Sequence, residues 1–244
     1  MSKDYYSVDD FFYEIHEHHG LYGLFSVTGL GKRELFMYIC HMLSLRKRRP
    51  LVFSLELSKE QWKKQMMEYG LITEGVMVED SSWKLSEMKT CIKKCTPTIV
   101  FIDYLALIRD EDVIVRLKEL SVEYSLSIVV AANLARNSGD NDPVYRRPQL
   151  YDLIYTYHND KTIGDFKHDM SQYTAIMLLH RSHDWYRNIG IGRALNICNE
   201  AEITCVTFDY RRPRTVFFDF SDIIPEKSER DTSGVRLLLN GTGI

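Results

Sequence analysis

The sequence has no long apolar run. Nowhere in its 244 residues does an uncharged apolar stretch approach the roughly 18 residues that a membrane-spanning helix needs. The first 20 residues are acidic, aromatic and rich in histidine, and they lack the basic flank and apolar centre of a secretory signal. These absences predict a cytoplasmic protein that has no membrane partner.

Paired cysteines and a strong net charge are also missing. The five cysteines are an odd number, which argues against a framework of disulfides. The net charge is -3, so the chain lacks the overall positive charge of a protein that coats nucleic acid. Basic residues cluster only locally, at 46–49, 146–147 and 211–214. Any contact with nucleic acid is therefore expected from loops, although solvated surface is the ordinary explanation of such runs.

What the sequence does contain is an alternation of apolar strands and amphipathic helices. Hydrophobic residues make up 45% of the chain and charged residues 27%, as in ordinary globular domains. Wholly apolar strands separated by helices predict an α/β fold with a mostly parallel central sheet, helices on both faces and antiparallel strands near the C-terminus. We expect an N-terminal segment over 1–20, one domain over 21–224 and a mobile tail over 225–244.

The stretch 26–34 has the pattern of a phosphate-binding loop. A strand is followed by a short glycine-containing turn and by a lysine at the start of a helix, where backbone amides and the lysine can hold phosphate. The predicted nucleotide contacts are Thr28, Gly29, Gly31, Lys32 and Arg33. Two residues depart from the pattern. Ser26 replaces the usual first glycine, and Arg33 replaces the Ser or Thr whose hydroxyl binds Mg²⁺, which a guanidinium cannot do.

Two acidic residues follow the next predicted strands. Glu56 comes after an apolar strand, where a carboxylate can align a water for attack on a γ-phosphate. A helix-capping acid close to Ser58 is the alternative interpretation. Asp103 ends the apolar run 99–103, and an aspartate at that place is typical of the residue that organises Mg²⁺ in nucleotide hydrolases.

Several blocks in this order resemble the C-terminal ATPase domain of DnaB-type replicative helicases, a RecA-like family of hexameric motors. The resemblance covers roughly residues 21 to 220. Its main blocks are Phe53-Ser-Leu-Glu-Leu-Ser58, Val100-Phe-Ile-Asp-Tyr-Leu-Ala-Leu-Ile108, Arg146-Arg-Pro-Gln-Leu-Tyr-Asp-Leu153, Ala175-Ile-Met-Leu-Leu-His-Arg181 and Ala201-Glu-Ile203 with Arg211-Arg-Pro213. Because about 20 residues precede the first strand, the family's primase-binding N-terminal domain is not expected in this chain.

The resemblance implies a self-associating ring of the hexameric type, which binds single-stranded DNA and couples ATP hydrolysis to translocation and unwinding in DNA replication. Lys32 and Glu56 are then catalytic, and Asp103 holds Mg²⁺ in a site weakened by Arg33. Asn133 stands at the place of the family's sensor glutamine, and Arg211 is the best match to the arginine that reaches the neighbouring subunit's ATP. The implied DNA contacts are Arg136, Arg146 and Arg147.

Three functions stay open from the sequence. The chain is an active helicase ATPase, or a degenerate relative that binds nucleotide or DNA without hydrolysis, or a recombination ATPase of the wider RecA type.

The aromatic residues of the N-terminal segment, such as Phe12 and Tyr13, have two possible packings. They contact a neighbouring subunit, or they complete the core of their own domain.

Overall fold

The computed structural model describes residues 12, 13, 15, 17–26, 31–108, 110–133, 172–181, 200–207 and 214–219. The strands are β1 Gly20–Ser26, β2 Pro50–Ser54, β3 Met77–Glu79, β4 Ile99–Asp103, β5 Ser127–Asn133, β6 Ala175–Arg181, β7 Glu200–Thr207 and β8 Arg214–Asp219. The helices are α1 Lys32–Leu45, α2 Lys59–Glu68, α3 Leu85–Cys95 and α4 Val113–Glu123, and a 3₁₀ turn spans Leu105–Leu107.

The strands form one sheet in the order β3-β2-β4-β5-β1-β6-β7-β8. Every pairing from β3 to β6 is parallel, whereas β7 is antiparallel to β6 and β8 is antiparallel to β7. The predicted α/β class, with a mostly parallel sheet and antiparallel strands near the C-terminus, is confirmed.

Helices cover both faces of the sheet because the buried strands are apolar on both sides. One face packs against α1 and α2, and its core includes Leu24, Phe101, Val129, Phe36 and Trp62. The other face packs against α3 and α4, and its core includes Val100, Ile102, Val130, Met88 and Leu117. Neighbouring residues of one strand, such as Val100 and Phe101, therefore belong to opposite cores.

Part of the N-terminal segment belongs to the first of these cores. Phe12 and Ile15 are buried there, and the Ser127 hydroxyl donates a hydrogen bond to the Ile15 carbonyl at 2.7 Å. Of the two packings left open by the sequence, Phe12 adopts the one within its own domain. Tyr5, Tyr6 and Phe11 lie outside the described residues.

Local sequence signals account for several helix ends. Ser58 and Gln61 form a capping box, in which the Ser58 hydroxyl accepts a hydrogen bond from the Gln61 amide at 3.2 Å. Gly31 precedes α1 with φ at 88°, a left-handed conformation that glycine adopts without a steric penalty. Over the described residues, no helix is both long and apolar enough to cross a membrane.

Candidate functional site

Four parallel strands end side by side at one edge of the sheet. In the strand pairing, Ser26 of β1 lies opposite Asn133 of β5, and Ser54 of β2 lies opposite Asp103 of β4. The Leu55 amide donates to the Asp103 carbonyl at 2.7 Å, which carries the chain after β2 alongside the end of β4. This edge, at the carboxyl ends of the strands, is where open α/β sheets bind ligands.

Lys32 begins α1 and reaches back under the end of β1. Its amine donates to Ser26 Oγ at 2.8 Å, to the Ser26 carbonyl at 3.4 Å and to Asn133 Oδ1 at 2.7 Å. All three acceptors are uncharged, and the lysine forms no ion pair within the part of the chain that the structure describes. The direct hydrogen-bond partners of the Lys32 amine among the described residues are therefore all neutral groups.

Burial has a large effect on this amine. Lys32 is only 9% exposed, and the loss of hydration lowers its pKa from 10.5 to about 8. The negative charges of Asp103, Glu56 and Glu34 favour the protonated form but offset only part of that effect. A ligand with a negative charge of its own would stabilise the ammonium where it lies.

Arg33, the next residue, connects the two acidic side chains. Its Nε donates to Asp103 Oδ2 at 2.7 Å, and its Nη2 donates to Glu56 Oε2. Asp103 is almost buried, with a side chain 6% exposed, whereas the Glu56 side chain is 43% exposed. Burial disfavours the charged guanidinium, but the charge and hydrogen bond of Asp103 and the charge of Glu56 outweigh it and raise the pKa of Arg33.

The start of α1 adds further backbone donors. The first amides of a helix have no partner within the helix, and no side chain caps this end among the described residues. Together with Lys32, these amides make the end of α1 suited to an anion such as phosphate. The predicted contacts Thr28 and Gly29 lie outside the described residues.

The arrangement does not fit Mg²⁺ as it stands. Mg²⁺ needs a near-octahedral shell of oxygen ligands at about 2.1 Å, and a protonated guanidinium already contacts Asp103 Oδ2 and Glu56 Oε2. Position 33 supplies no oxygen. Among the described residues, no group of three or more His, Cys, Asp or Glu side chains is placed to hold a metal ion.

Two partners in this site are not predicted from the sequence. Ser26 stands out there only as a departure from the usual glycine, but its hydroxyl is a direct partner of the Lys32 amine. Tyr104 accepts a hydrogen bond on its hydroxyl from the Asn133 amide at 3.3 Å, and this contact joins the ends of β4 and β5. A polar residue next to a predicted ligand is the only signal that the sequence offers for either of them.

The other residues predicted from the sequence concern DNA and the neighbouring subunit. Arg136, Arg146, Arg147 and Arg211 lie outside the described residues. The basic run 46–49 joins the end of α1 to the start of β2, at the opposite edge of the sheet. Part of this run serves internal contacts, since Arg48 pairs with Glu17 at 3.1 Å and Arg49 donates to the Cys95 carbonyl at 2.6 Å.

Comparison with known proteins places this architecture in a class. No protein-family model matches the sequence, and no curated protein matches it. Many solved structures match the fold. The chain therefore has the fold of RecA-like helicase ATPase domains, and its structural neighbours include a DnaB-like replicative helicase.

Two of those neighbours show how far the likeness extends. The first, described as a DnaB-like replicative helicase and its interactions with primase, matches with a TM-score of 0.63 at 17% identity, over 84% of this chain and 56% of that one. The second, described as an ATPase domain, matches with a TM-score of 0.61 at 16% identity, over 82% of this chain and 81% of that one. This chain thus spans little more than half of the first neighbour's length, and at such low identity the likeness shows the fold alone.

Proposed function

We propose that the protein is a nucleotide-binding domain of the DnaB-like type, which holds the phosphates of ATP with Lys32 and the first turn of α1. The observation that carries this proposal is the environment of Lys32. Its amine is nearly buried, is held only by neutral oxygens of Ser26 and Asn133, and has a pKa lowered to about 8.

A buried cation that has no counter-charge in direct contact raises the free energy of the folded protein, and the nearby acids offset only part of that cost. Phosphate would supply that counter-charge, so part of the cost of burying Lys32 is recovered when an anion binds. The two hydrogen bonds to Ser26 Oγ and Asn133 Oδ1 hold the amine in place beforehand. The position of Lys32, between the end of β1 and the first turn of α1, matches the site that the fold class uses for ligands.

The geometry favours binding without efficient hydrolysis over a working motor. Glu56 is the candidate for aligning water, but one of its carboxylate oxygens accepts a hydrogen bond from Arg33. While that contact holds, the oxygen that accepts from Arg33 is less available to a water molecule. Arg33 also contacts one carboxylate oxygen of Asp103, and its positive charge would repel a metal ion at that carboxylate.

A working ATP-driven motor on single-stranded DNA is the second candidate. Lys32, Glu56 and Asp103 all lie at one edge of the sheet, as hydrolysis requires. For this function the chain assembles into a ring, and Arg211 acts across the boundary between subunits. The mass of the assembly in solution would reveal the ring. Arg136, Arg146 and Arg147 then face the DNA, where cationic side chains follow the phosphates.

Binding of ATP by titration calorimetry tests the nucleotide site. Well below pH 8 Lys32 is almost fully protonated, so its contribution to ATP affinity is nearly constant. Above pH 8 the affinity should fall by up to about tenfold for each pH unit. Lys32→Met should abolish binding at every pH. Lys64→Met, at a lysine that is 75% exposed, is the matched control and should bind as the unmodified protein does. Equal affinity of the Lys32 variant would refute the proposed site.

Hydrolysis separates the two candidate functions. If the protein does not hydrolyse ATP either in the absence or in the presence of single-stranded DNA, the non-hydrolysing function is supported. Turnover that DNA stimulates and that Glu56→Gln removes would establish the motor instead.

A double change, Arg146→Ala with Arg147→Ala, should weaken DNA binding for all sequences and flatten its salt dependence.

A further inference from the structure

We propose that Arg33 takes the place of the metal ion, so that this site binds nucleotide in its metal-free form and Mg²⁺ does not strengthen binding. The inference rests on the proposed nucleotide site and concerns the cation that accompanies the phosphates there. Its basis is the contact of one guanidinium with both Asp103 and Glu56.

The two carboxylates define the position of a cation. Asp103 ends β4 in the interior, and Glu56 follows β2, which pairs with β4, so the two acids approach each other across neighbouring strands. Arg33 reaches this position from the first turn of α1, next to Lys32. A permanent cation therefore lies between the strand ends and the place proposed for phosphate.

The charge of the guanidinium opposes binding of Mg²⁺ to the same acids. The Nε of Arg33 lies 2.7 Å from Asp103 Oδ2, and a metal ion on the same oxygen would have to lie within about 2.1 Å of it. Two cations on one carboxylate of a nearly buried aspartate would lie close together and repel each other strongly. Because arginine does not lose its proton in proteins, this repulsion is relieved only when the Arg33 side chain moves away from the two acids.

Displacement is opposed by the contacts that Arg33 already makes. The planar guanidinium donates from two nitrogens to two different carboxylates, an arrangement that a metal-bound nucleotide would have to break. Metal-free ATP carries more negative charge than its Mg²⁺ complex and leaves these contacts intact. The free nucleotide is therefore the better ligand for a site that contains Lys32 and Arg33.

The experiment measures ATP affinity of the full chain in excess EDTA and in excess MgCl₂ at matched ionic strength. We expect the affinity in MgCl₂ to be equal, within about threefold, or weaker. A gain of more than about threefold in MgCl₂ would overturn the inference while leaving the nucleotide site intact. Failure to bind ATP in either buffer would instead overturn the proposed function.

The variant Arg33→Thr tests whether Arg33 is the reason why Mg²⁺ does not strengthen ATP binding. The substitution removes the cation, frees the oxygens of Asp103 and Glu56, and supplies a hydroxyl that Mg²⁺ can bind. In this variant MgCl₂ should strengthen ATP binding by about tenfold or more. Arg116→Thr is the matched control, because it removes an arginine whose partner is Asp110 and should keep the behaviour of the unmodified protein. Absence of a change in Arg33→Thr would overturn the assignment to Arg33, since another feature would then exclude the metal.

Discussion

Replacing Lys32 with methionine should make the protein more stable while it removes phosphate binding. Methionine has a similar length and no charge, so it fills the space of the lysine stem without the buried ammonium. Burial lowers the pKa of Lys32 from 10.5 to about 8, and at near-neutral pH this corresponds to a cost of roughly 3 kcal/mol in the folded protein. The variant is spared that cost.

The pH dependence identifies the cause of the gain. Between about pH 8 and 10.5 the unfolded chain holds the Lys32 proton more firmly than the folded protein does, so the stability of the unmodified protein rises with pH in this range. The advantage of the variant should fall accordingly, from roughly 3 kcal/mol near pH 7 to roughly 1 kcal/mol near pH 10.

Urea unfolding at the two pH values, followed by circular dichroism, measures this difference. Lys64→Met is the control, because that lysine is 75% exposed and its removal should change the free energy of unfolding little at either pH. A variant at position 32 that is less stable near pH 7 would refute the reasoning. It would mean that the hydrogen bonds to Ser26 and Asn133 outweigh the cost of burial.

Three other tests concern residues of the site and of the helix starts near it. Each measures the free energy of unfolding in urea near pH 7. Arg33→Met should lower the free energy of unfolding by about 2 kcal/mol, because it removes the guanidinium that contacts the buried Asp103. Glu56→Gln changes a half-exposed residue and should lower it by less than about 1 kcal/mol. Equal losses in the two variants would contradict this ranking. Ser58→Ala should cost about 1 kcal/mol through the lost helix cap, and an unchanged midpoint would show that the cap contributes nothing. Gly31→Ala should cost about 1–2 kcal/mol because φ is 88° there, and a variant of full stability would count against this reason for the glycine.

Much of the fold can be predicted because local patterns and long-range packing agree. The apolar runs 51–55, 99–103 and 127–132 predict buried strands, and the structure has β2, β4 and β5 there. Runs that are apolar on both sides require cover on both faces of the sheet, and this requirement leads to the α/β class. The order of the strands in the sheet is not predicted, since it depends on contacts between residues far apart in the chain.

The sequence predicts which residues form the candidate site, but it does not predict the contacts between them. The strand-end positions of Glu56 and Asp103 follow from the pattern of apolar runs, and Lys32 follows from the turn before α1. Nothing in the sequence specifies that Arg33 contacts both acids, because that contact depends on how α1, β2 and β4 meet. From the sequence, Arg33 is a predicted nucleotide contact that replaces a magnesium ligand, and no carboxylate partner is assigned to it.

Sequence alone determined the alternation of strands and helices, the cap at Ser58 and the residue types available at the ends of the strands, because each of these depends on neighbours within a few positions. Tertiary structure alone decided that Lys32 is nearly buried among neutral oxygens and that Arg33 joins two carboxylates from different strands. The physical reason is that burial and ion pairing depend on distances in space, and the sheet sets those distances by bringing residues 26, 33, 56, 103 and 133 to one edge.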